Sequence, residues 1–534
     1  MNRRYFMQAV AGLPILSSGG SSLFARLPQQ TASEAEPISV GSRKQLFIDH
    51  KFIQSSQGIR LVVNPPIKAE RVLLPEMPWE SKTIEGYHTV LEHDGVYKLW
   101  YDATAAGQHN PSRFTCYATS QDGIHWERVN VNQFVWEGIK NNNIVMPGAV
   151  GSVMIDPNGP DEQRFKALML IWENTLWPEA KGCIAGEYNG KTFLEVYLCT
   201  SSDGIRWRRQ QTPALIFFHD TQNQFFFDTR LKRYVAYARI AQAGRAVGRT
   251  EFDDPMKLPW PFKEQPNELH GPDLSRQAVG GEFHVALSRD ESDPPDTDLY
   301  TPCVVQYPWA DEAYFSFPSV YRHYPYGNTS DTTLQGKDAR GHFKNDGPLE
   351  IQLAVSRDGI YWSRPDRRPF VGLGLKGSWD GGQMYMAIGM IRKRGEIWQY
   401  YSGTYNTHGA YDPQEADRSG GICRLVQRLD GFMSADADYT GAEFFTPVLT
   451  FAGRQLKLNV DCSAMGEVWV EILDERNQPI SGYRLKDAVS VDRNEIAAPV
   501  RWKGREDVSE LAGRPVRLHF KLRACKLYSF QFEG

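Results

Sequence analysis

The chain has 534 residues, a formal net charge of −4 and 23% charged residues, without the basic surplus that a nucleic-acid partner selects. The length suits two or three domains, or one large β domain with a smaller companion. Aromatic residues make up 12%, with 14 Trp and 24 Tyr, which is rich for a core alone and fits rings that also stack on sugars.

At the start, Asn2-Arg3-Arg4-Tyr5-Phe6-Met7 precedes a modestly apolar run from Ala9 to Ala25. A twin arginine, an aromatic and a weakly hydrophobic run predict a twin-arginine export signal cut near Ala25, and a periplasmic or extracellular protein. A disordered N-terminal tail is the alternative. The run is too short and too rich in Gly and Ser to span a bilayer, so no membrane attachment is expected once the signal is removed. Residues 26–38, with Pro28 and Pro37, read as a linker, which sets 1–38 outside the folded domains.

Further along, Ser-x-Asp-Gly-Ile-x-Trp occurs three times, at Ser120–Trp126, Ser201–Trp207 and Ser356–Trp362, each time after a short strand-like run. Degenerate copies lie at Arg245–Trp260 and Ile422–Phe432, and each of the five is preceded by earlier β runs. A strand, a turn and a ring repeated at wide spacing predict a five-bladed β-propeller over 39–432. Gln45-Leu46-Phe47-Ile48-Asp49 is expected to supply the outer strand that closes the ring. No helical periodicity of useful length appears. After Phe432, strict alternation in Leu456–Val460 and Val516–Leu522, with Val468–Ile472 and Leu527–Phe532, predicts a β-sandwich over 433–534. The fold class is therefore all-β.

The seven cysteines, at 116, 183, 199, 303, 423, 462 and 525, are odd in number and lack CxxC spacing. Neither a disulfide framework nor a zinc site is indicated. No cofactor is expected; an axial Ca²⁺ is compatible with the pattern, but no ligand spacing demands one. Nothing in the sequence specifies an oligomeric state.

In a propeller the innermost strands converge on one axial funnel, so polar residues at their starts are the natural site candidates. Blade by blade these are Glu85-Gly86-Tyr87-His88, Asn141-Asn142-Asn143, His219-Asp220-Thr221-Gln222-Asn223, Asp311-Glu312 with Asn345-Asp346-Gly347, and Trp379-Asp380-Gly381-Gly382-Gln383. Carboxylates brought from different blades to one cavity suit glycoside hydrolysis, where one stays protonated and another is ionised. Asp220, Glu85, Asp380 and Asp346 are the catalytic candidates. Tyr87, His88, Asn223, Arg239, Arg245, Gln383 and His408 are the candidates for binding a carbohydrate substrate, the two arginines through bidentate hydrogen bonds. The repeated turn is assigned to the scaffold, because one active site needs each residue once.

Five blades with Ser-x-Asp-Gly-Ile-x-Trp outer turns resemble the five-bladed propeller glycosidases of the arabinanase, levansucrase and invertase superfamily. Lys44–Asp49, His219–Asn223, Arg245–Arg249 and Leu527–Phe530 look more specifically like exported bacterial proteins described as glycosyl hydrolase family 32-like. The resemblance runs from about residue 40 to the end and implies an exported glycoside hydrolase; a non-catalytic carbohydrate-binding propeller is the alternative. Ile155-Asp156-Pro157-Asn158-Gly159 is similar to the invertase nucleophile motif, but its place after a strand predicts a hairpin turn. No Arg-Asp-Pro and no Glu-Cys motif accompanies it, so a fructan substrate is not implied.

Overall fold

The computed structural model describes residues 36–107, 113–170, 196–215, 221–242, 244–262, 283–323, 346–409 and 419–534, with the backbone of 187–188 and 191–192. The expected export-signal run, Asp220 and the polar insertion 326–345 lie outside the described residues. The chain is a five-bladed β-propeller joined to a β-sandwich. Among the described residues no helix is long and apolar enough to cross a membrane.

Blade one runs outward from Thr83–His93 through Val96–Thr104 to Arg113–Ser120. Blade two is Ala149–Ile155, Phe165–Leu170, Val196–Ser201 and Arg208–Arg209. Blade three is Gln224–Asp228, Arg233–Ala241, Arg245–Phe252 and His284–Leu287. In blade four each strand is broken in two: Thr297–Leu299 and Val304–Gln306, then Tyr314–Ser316 and Ser319–Arg322, then Leu349–Ile351 and Ala354–Ser356. Pro302 and Pro318 cause the first two breaks, since proline offers no N–H to a ladder. The inner strand of this blade therefore starts at Thr297, not after Asp311-Glu312. Blade five is Gln383–Met386, Glu396–Thr404 and Ile422–Arg428.

The ring closes on Ile67–Leu73, which pairs antiparallel with Ile422–Arg428. This corrects the expected closing strand: Gln45–Leu46 pairs instead with Cys525–Glu533 of the sandwich. Ile38–Gly41, Ser55–Gln57 and Arg60–Val63 likewise join sandwich strands. Only Ile67–Leu73 pairs with blade five. Two ion pairs hold it there, Lys68 Nζ to Asp380 (2.7 Å) and Arg424 Nε to Glu70 (2.7 Å).

Buried apolar side chains collect between neighbouring blades rather than in one central core. Trp100, Phe165 and Trp207 sit between blades one and two, Leu198 and Trp260 between two and three. Val235 and Val304 sit between three and four, Phe315 and Tyr401 between four and five, and Leu99 and Tyr400 between five and one. The sandwich has its own core around Phe47, Phe444, Phe520 and Phe530.

The repeated turn fastens these interfaces. In each copy the Ser hydroxyl accepts the Gly N–H, and one Asp oxygen accepts the next two backbone N–H groups, all within 2.8–2.9 Å. The glycine carbonyl then receives a ring from the second strand of the preceding blade. Tyr400 donates to Gly123 O (2.7 Å), Trp100 to Gly204 O (2.7 Å) and Tyr237 to Gly359 O (2.6 Å). Asp156, in the invertase-like string, serves blades two and three in a related way, accepting Tyr234 OH (2.7 Å) and Lys166 Nζ (2.6 Å). That string is a turn, as its position after a strand predicts.

Gly204 has φ +76°, and a Cβ there would stand 2.7 Å from the Trp100 ring; Gly95 has φ +74° with nothing near. Gly95→Ala is therefore expected to cost about 1 kcal/mol of backbone strain. Gly204→Ala adds the clash at the blade interface and should cost about 3 kcal/mol or more. The two urea-unfolding midpoints, measured side by side, check this, and equal losses would refute the fastening role.

Candidate functional site

Where the inner strands begin, Tyr87, Tyr300, Tyr321 and Tyr385 meet with Ala149 and Leu349 in one buried cluster at the axis. Tyr385 lies edge-on to Tyr87, centroids 5.8 Å apart, and Tyr300 contacts both Tyr385 and Tyr321 at 6.2 Å. The His408 ring stands 4.9 Å from both Tyr300 and Tyr321.

Blade one supplies the first polar group. The register between its first two strands shifts between Ile84 and His88, a bulge that re-aims side chains. Gly86, at φ +91°, permits it, and a Cβ would stand 3.1 Å from Arg113 Nη2. Arg113 donates to Asp102 Oδ2 (2.7 Å) and lies over the Tyr87 ring (5.5 Å). Asp102 Oδ1 also accepts the Val150 N–H of blade two (3.3 Å). Burial pushes Asp102 up to about 6 although Arg113 pulls the other way. Glu85 is half-buried and accepts Gln383 Nε2 of blade five (3.2 Å). Burial raises its carboxyl above the ordinary range, against the nearby charges of Arg113 and Lys82. Gln383 Oε1 in turn accepts Tyr385 OH (2.9 Å) and meets His408 Nδ1 (3.2 Å).

Across the axis, blades three and four supply a cationic side. Arg245 Nη1 donates to Asp298 Oδ2 (2.6 Å), and its guanidinium lies over Tyr300 (5.2 Å) and Tyr321 (5.3 Å). His323 Nε2 meets the same Asp298 oxygen (2.8 Å). Burial opposes ionisation of Asp298, yet His323 and Arg245 hold it at about 2. Arg239 stands over Tyr300 (5.9 Å). Thr221 Oγ1 donates to Tyr300 O (3.0 Å) and accepts Tyr87 OH (3.3 Å), linking blades one, three and four.

The fold thus brings Glu85, Tyr87, Gln383, Arg239, Arg245 and His408 together. Asn223 is buried nearby and braces backbone, accepting Arg239 N–H (3.2 Å) and donating to Thr221 O (3.0 Å). His88 lies behind this surface, fully buried, with Nδ1 accepting the Asp102 N–H (3.3 Å). Two expected catalytic carboxylates have other tasks. Asp380 binds Lys68 and Tyr401 OH (2.8 Å), so it belongs to ring closure. Asp346 Oδ1 accepts Gly347 N–H (2.7 Å) and Gly409 N–H (2.9 Å), fixing the segment that carries His408. Asp311 and Glu312 line a cavity of about 650 Å³ at the opposite ends of the inner strands, with Ile155, Phe226 and Gln306. Among the described residues no group of three or more His, Cys, Asp or Glu is arranged to hold a metal ion.

Sequence reasoning passed over Asp102, Arg113, Asp298, Tyr321 and His323. Asp102 carried a usable signal, a lone carboxylate inside the otherwise aromatic and apolar run Leu99–Ala103.

No family model matches the chain, and no curated protein matches it. Solved structures similar to it include one titled glycoside hydrolase, 15% identical over 69% of this chain and 93% of that one, TM-score 0.42. Another is an N-acetylgalactosamine deacetylase from F. plautii in complex with blood group B trisaccharide, 14% identical over 69% and 96%, TM-score 0.42. A third comes from a family of mannoside phosphorylases containing glycoside hydrolases that target β-1,2 mannosidic linkages in Candida mannan, 14% identical over 74% and 99%, TM-score 0.35. The strand pairings described above, rather than these distant likenesses, establish the fold.

Burial drives His88 down to about 3 from an ordinary 6.5. Between these pH values the unfolded chain binds a proton that folded His88 refuses. Its contribution is therefore complete above pH 6.5 and is lost as the pH falls toward 3. The expected slope is up to about 1.4 kcal/mol per pH unit. Urea titrations at pH 7, 6 and 5 should show it, and His88→Gln should flatten the slope by about one proton.

Proposed function

We propose that the chain is an exported glycoside hydrolase that cleaves a polysaccharide or oligosaccharide at the axial end of the propeller, with Glu85 as general acid. The observation that carries this reading is the setting of Glu85: a half-buried carboxyl raised above the ordinary range by burial, beside a tyrosine cluster and the donors of Gln383 and Arg113. A glycosidic oxygen needs a protonated acid as its bond breaks, and an upward shift favours that form. The tyrosine rings present apolar faces to the C–H surfaces of a sugar, while Gln383, His408 and Arg245 suit its hydroxyls. The second carboxylate in this reading is Asp220, one residue before Thr221 in the chain.

The steps follow from these roles. Glu85 passes its proton to the leaving oxygen as the bond to the anomeric carbon lengthens. Asp220 acts on the opposite face of the sugar, as base toward water or as nucleophile, according to the separation of the two carboxyls. Gln383 holds Glu85 and is itself held by Tyr385 OH (2.9 Å), so the acid is oriented by blade five.

A specific observation favours a second reading, a non-catalytic carbohydrate-binding propeller. Among the described residues at the axis, Asp102 and Asp298 are tied to arginines, whereas Glu85 has no ion-pair partner. A site limited to one available carboxyl binds sugar but lacks a base.

Incubation with a panel of plant, algal and microbial polysaccharides, with released reducing sugar as the readout, separates the two. On a cleaved substrate, Glu85→Gln should lower kcat about 10²–10⁴-fold while leaving glycan affinity within a few-fold. Because the protonated form acts, the wild-type rate should fall as the pH rises through the Glu85 value, and Glu85→Gln should lack that alkaline limb. Asp220→Asn should also abolish turnover, whereas Asp380→Asn should retain it. Sugar binding without release across the panel would establish the binder.

A further inference from the structure

We infer that Cys462 and Cys525 are a disulfide-forming pair, which in an oxidising environment joins the two sheets' crossovers at one end of the sandwich. Gln455–Asp461 and Cys525–Glu533 are antiparallel neighbours with Asp461 opposite Lys526. One step further along the same register, Cys462 stands opposite Cys525. Directly opposed residues of an antiparallel pair have Cα atoms about 4.5–5.5 Å apart, inside the range a disulfide spans. The two thiols are close enough for one to hydrogen-bond the other. Both are buried in the sandwich core with Ala437, Val468 and Val491, and both are free thiols. No other strand register among the described residues sets two cysteines opposite each other.

The position also gives the bond a mechanical task. After Cys462 the chain leaves one sheet and enters the other at Glu467–Asp474; just before Cys525 it returns from Val516–Arg523 of that other sheet. Glu467 and Arg523 are paired, so the two crossovers run side by side. Ser463 and Ala524 take positive φ at these corners, and Gly466 packs against the Ala524 carbonyl. A cystine here would close a loop of about sixty residues spanning both sheets, and such closure restricts the unfolded chain. An odd number of scattered cysteines hides this pair in the sequence, because only the register brings 462 to 525.

The chemistry is thiol–disulfide exchange with a disulfide of low molecular mass such as oxidised glutathione. One thiolate attacks a glutathione sulfur and releases one glutathione thiolate. The second cysteine thiolate then attacks the mixed disulfide and releases the other. Two cysteine thiols lose two protons and two electrons, and the glutathione disulfide is reduced to two thiols. The inference is independent of the proposed carbohydrate chemistry.

The full chain, purified with reductant, is unfolded and refolded with or without oxidised glutathione, alkylated, and digested without reduction. Mass spectrometry should find the Cys462 peptide linked to the Cys525 peptide in the oxidised sample, with the other cysteines alkylated. The oxidised protein should melt roughly 5 °C above the reduced one. In Cys462→Ser, Cys525→Ser and the double variant the two conditions should give the same Tm. Alkylation of both cysteines after oxidative refolding overturns the inference, as does linkage of either to another cysteine or a lower Tm of the linked form. The peptide map stands even where a variant does not fold.

Discussion

The structure depends on one contact made repeatedly around the ring: a Tyr or Trp on the second strand of one blade donates to a glycine carbonyl in the outer turn of the next. Tyr400 to Gly123, Trp100 to Gly204 and Tyr237 to Gly359 share the same partners and nearly the same length. The turn must present that carbonyl at a fixed height, which explains its other residues. Ser and Asp consume the turn's own N–H groups, and a side chain on the glycine would strike the incoming ring. The Trp that ends the turn packs on the same ring at two interfaces, Trp126 on Tyr400 (5.8 Å) and Trp362 on Tyr237 (6.2 Å). The repeat thus packs and orients neighbouring blades, and it leaves the axis to residues that occur once.

Fastening at the periphery draws the inner strands together. Midway along the axis they bond to one another: Val90 N–H to Ile388 O (2.8 Å), Ile388 N–H to His88 O (2.9 Å), and Val304 N–H to the Gln224 side chain (2.7 Å). Cys303 Sγ contacts Ala387 O (3.4 Å) at the same level. The strand starts and strand ends therefore present separate surfaces. The tyrosines, Glu85 and the arginines occupy the first, and the apolar cavity with Asp311 and Glu312 the second. Sequence position along an inner strand decides which surface a residue serves.

Blade number and the change to a sandwich were legible because they are written in local patterns, a turn with its ring and strict alternation. The closing strand was not, since Gln45–Asp49 looks like a strand and only pairing shows that Ile67–Leu73 takes that place. The fourth blade's inner strand was hidden by the acidic, proline-rich stretch Asp290–Pro302, which reads as loop. Glu85, Tyr87, Gln383 and Arg245 were legible as polar residues heading or flanking strands. Asp298 was not, and Asp102 only as a lone carboxylate in an apolar run, because the task of a buried carboxylate is intelligible only with its arginine, and Arg113 and Arg245 arrive from other strands. Asp380 misled for the converse reason. Its place before the inner strand of blade five made it a site candidate, but the partner that defines it, Lys68, lies far off in the sequence.

The same functional group behaves oppositely at these places, and the difference is the balance between burial and the donors around it. Asp298 receives Arg245 twice and His323 once, enough to outweigh burial and keep it ionised. Asp380 receives Lys68, Tyr401 and Ser378 and is likewise held low. Glu85 receives one neutral amide, so burial prevails and its pKa is raised. A carboxylate ringed by cations has already spent its charge on the fold, whereas a buried carboxyl left with one weak donor is shifted toward the acid form. Asp102 is raised as well, but Arg113 and the Val150 N–H occupy its oxygens, whereas Glu85 meets only Gln383 from blade five.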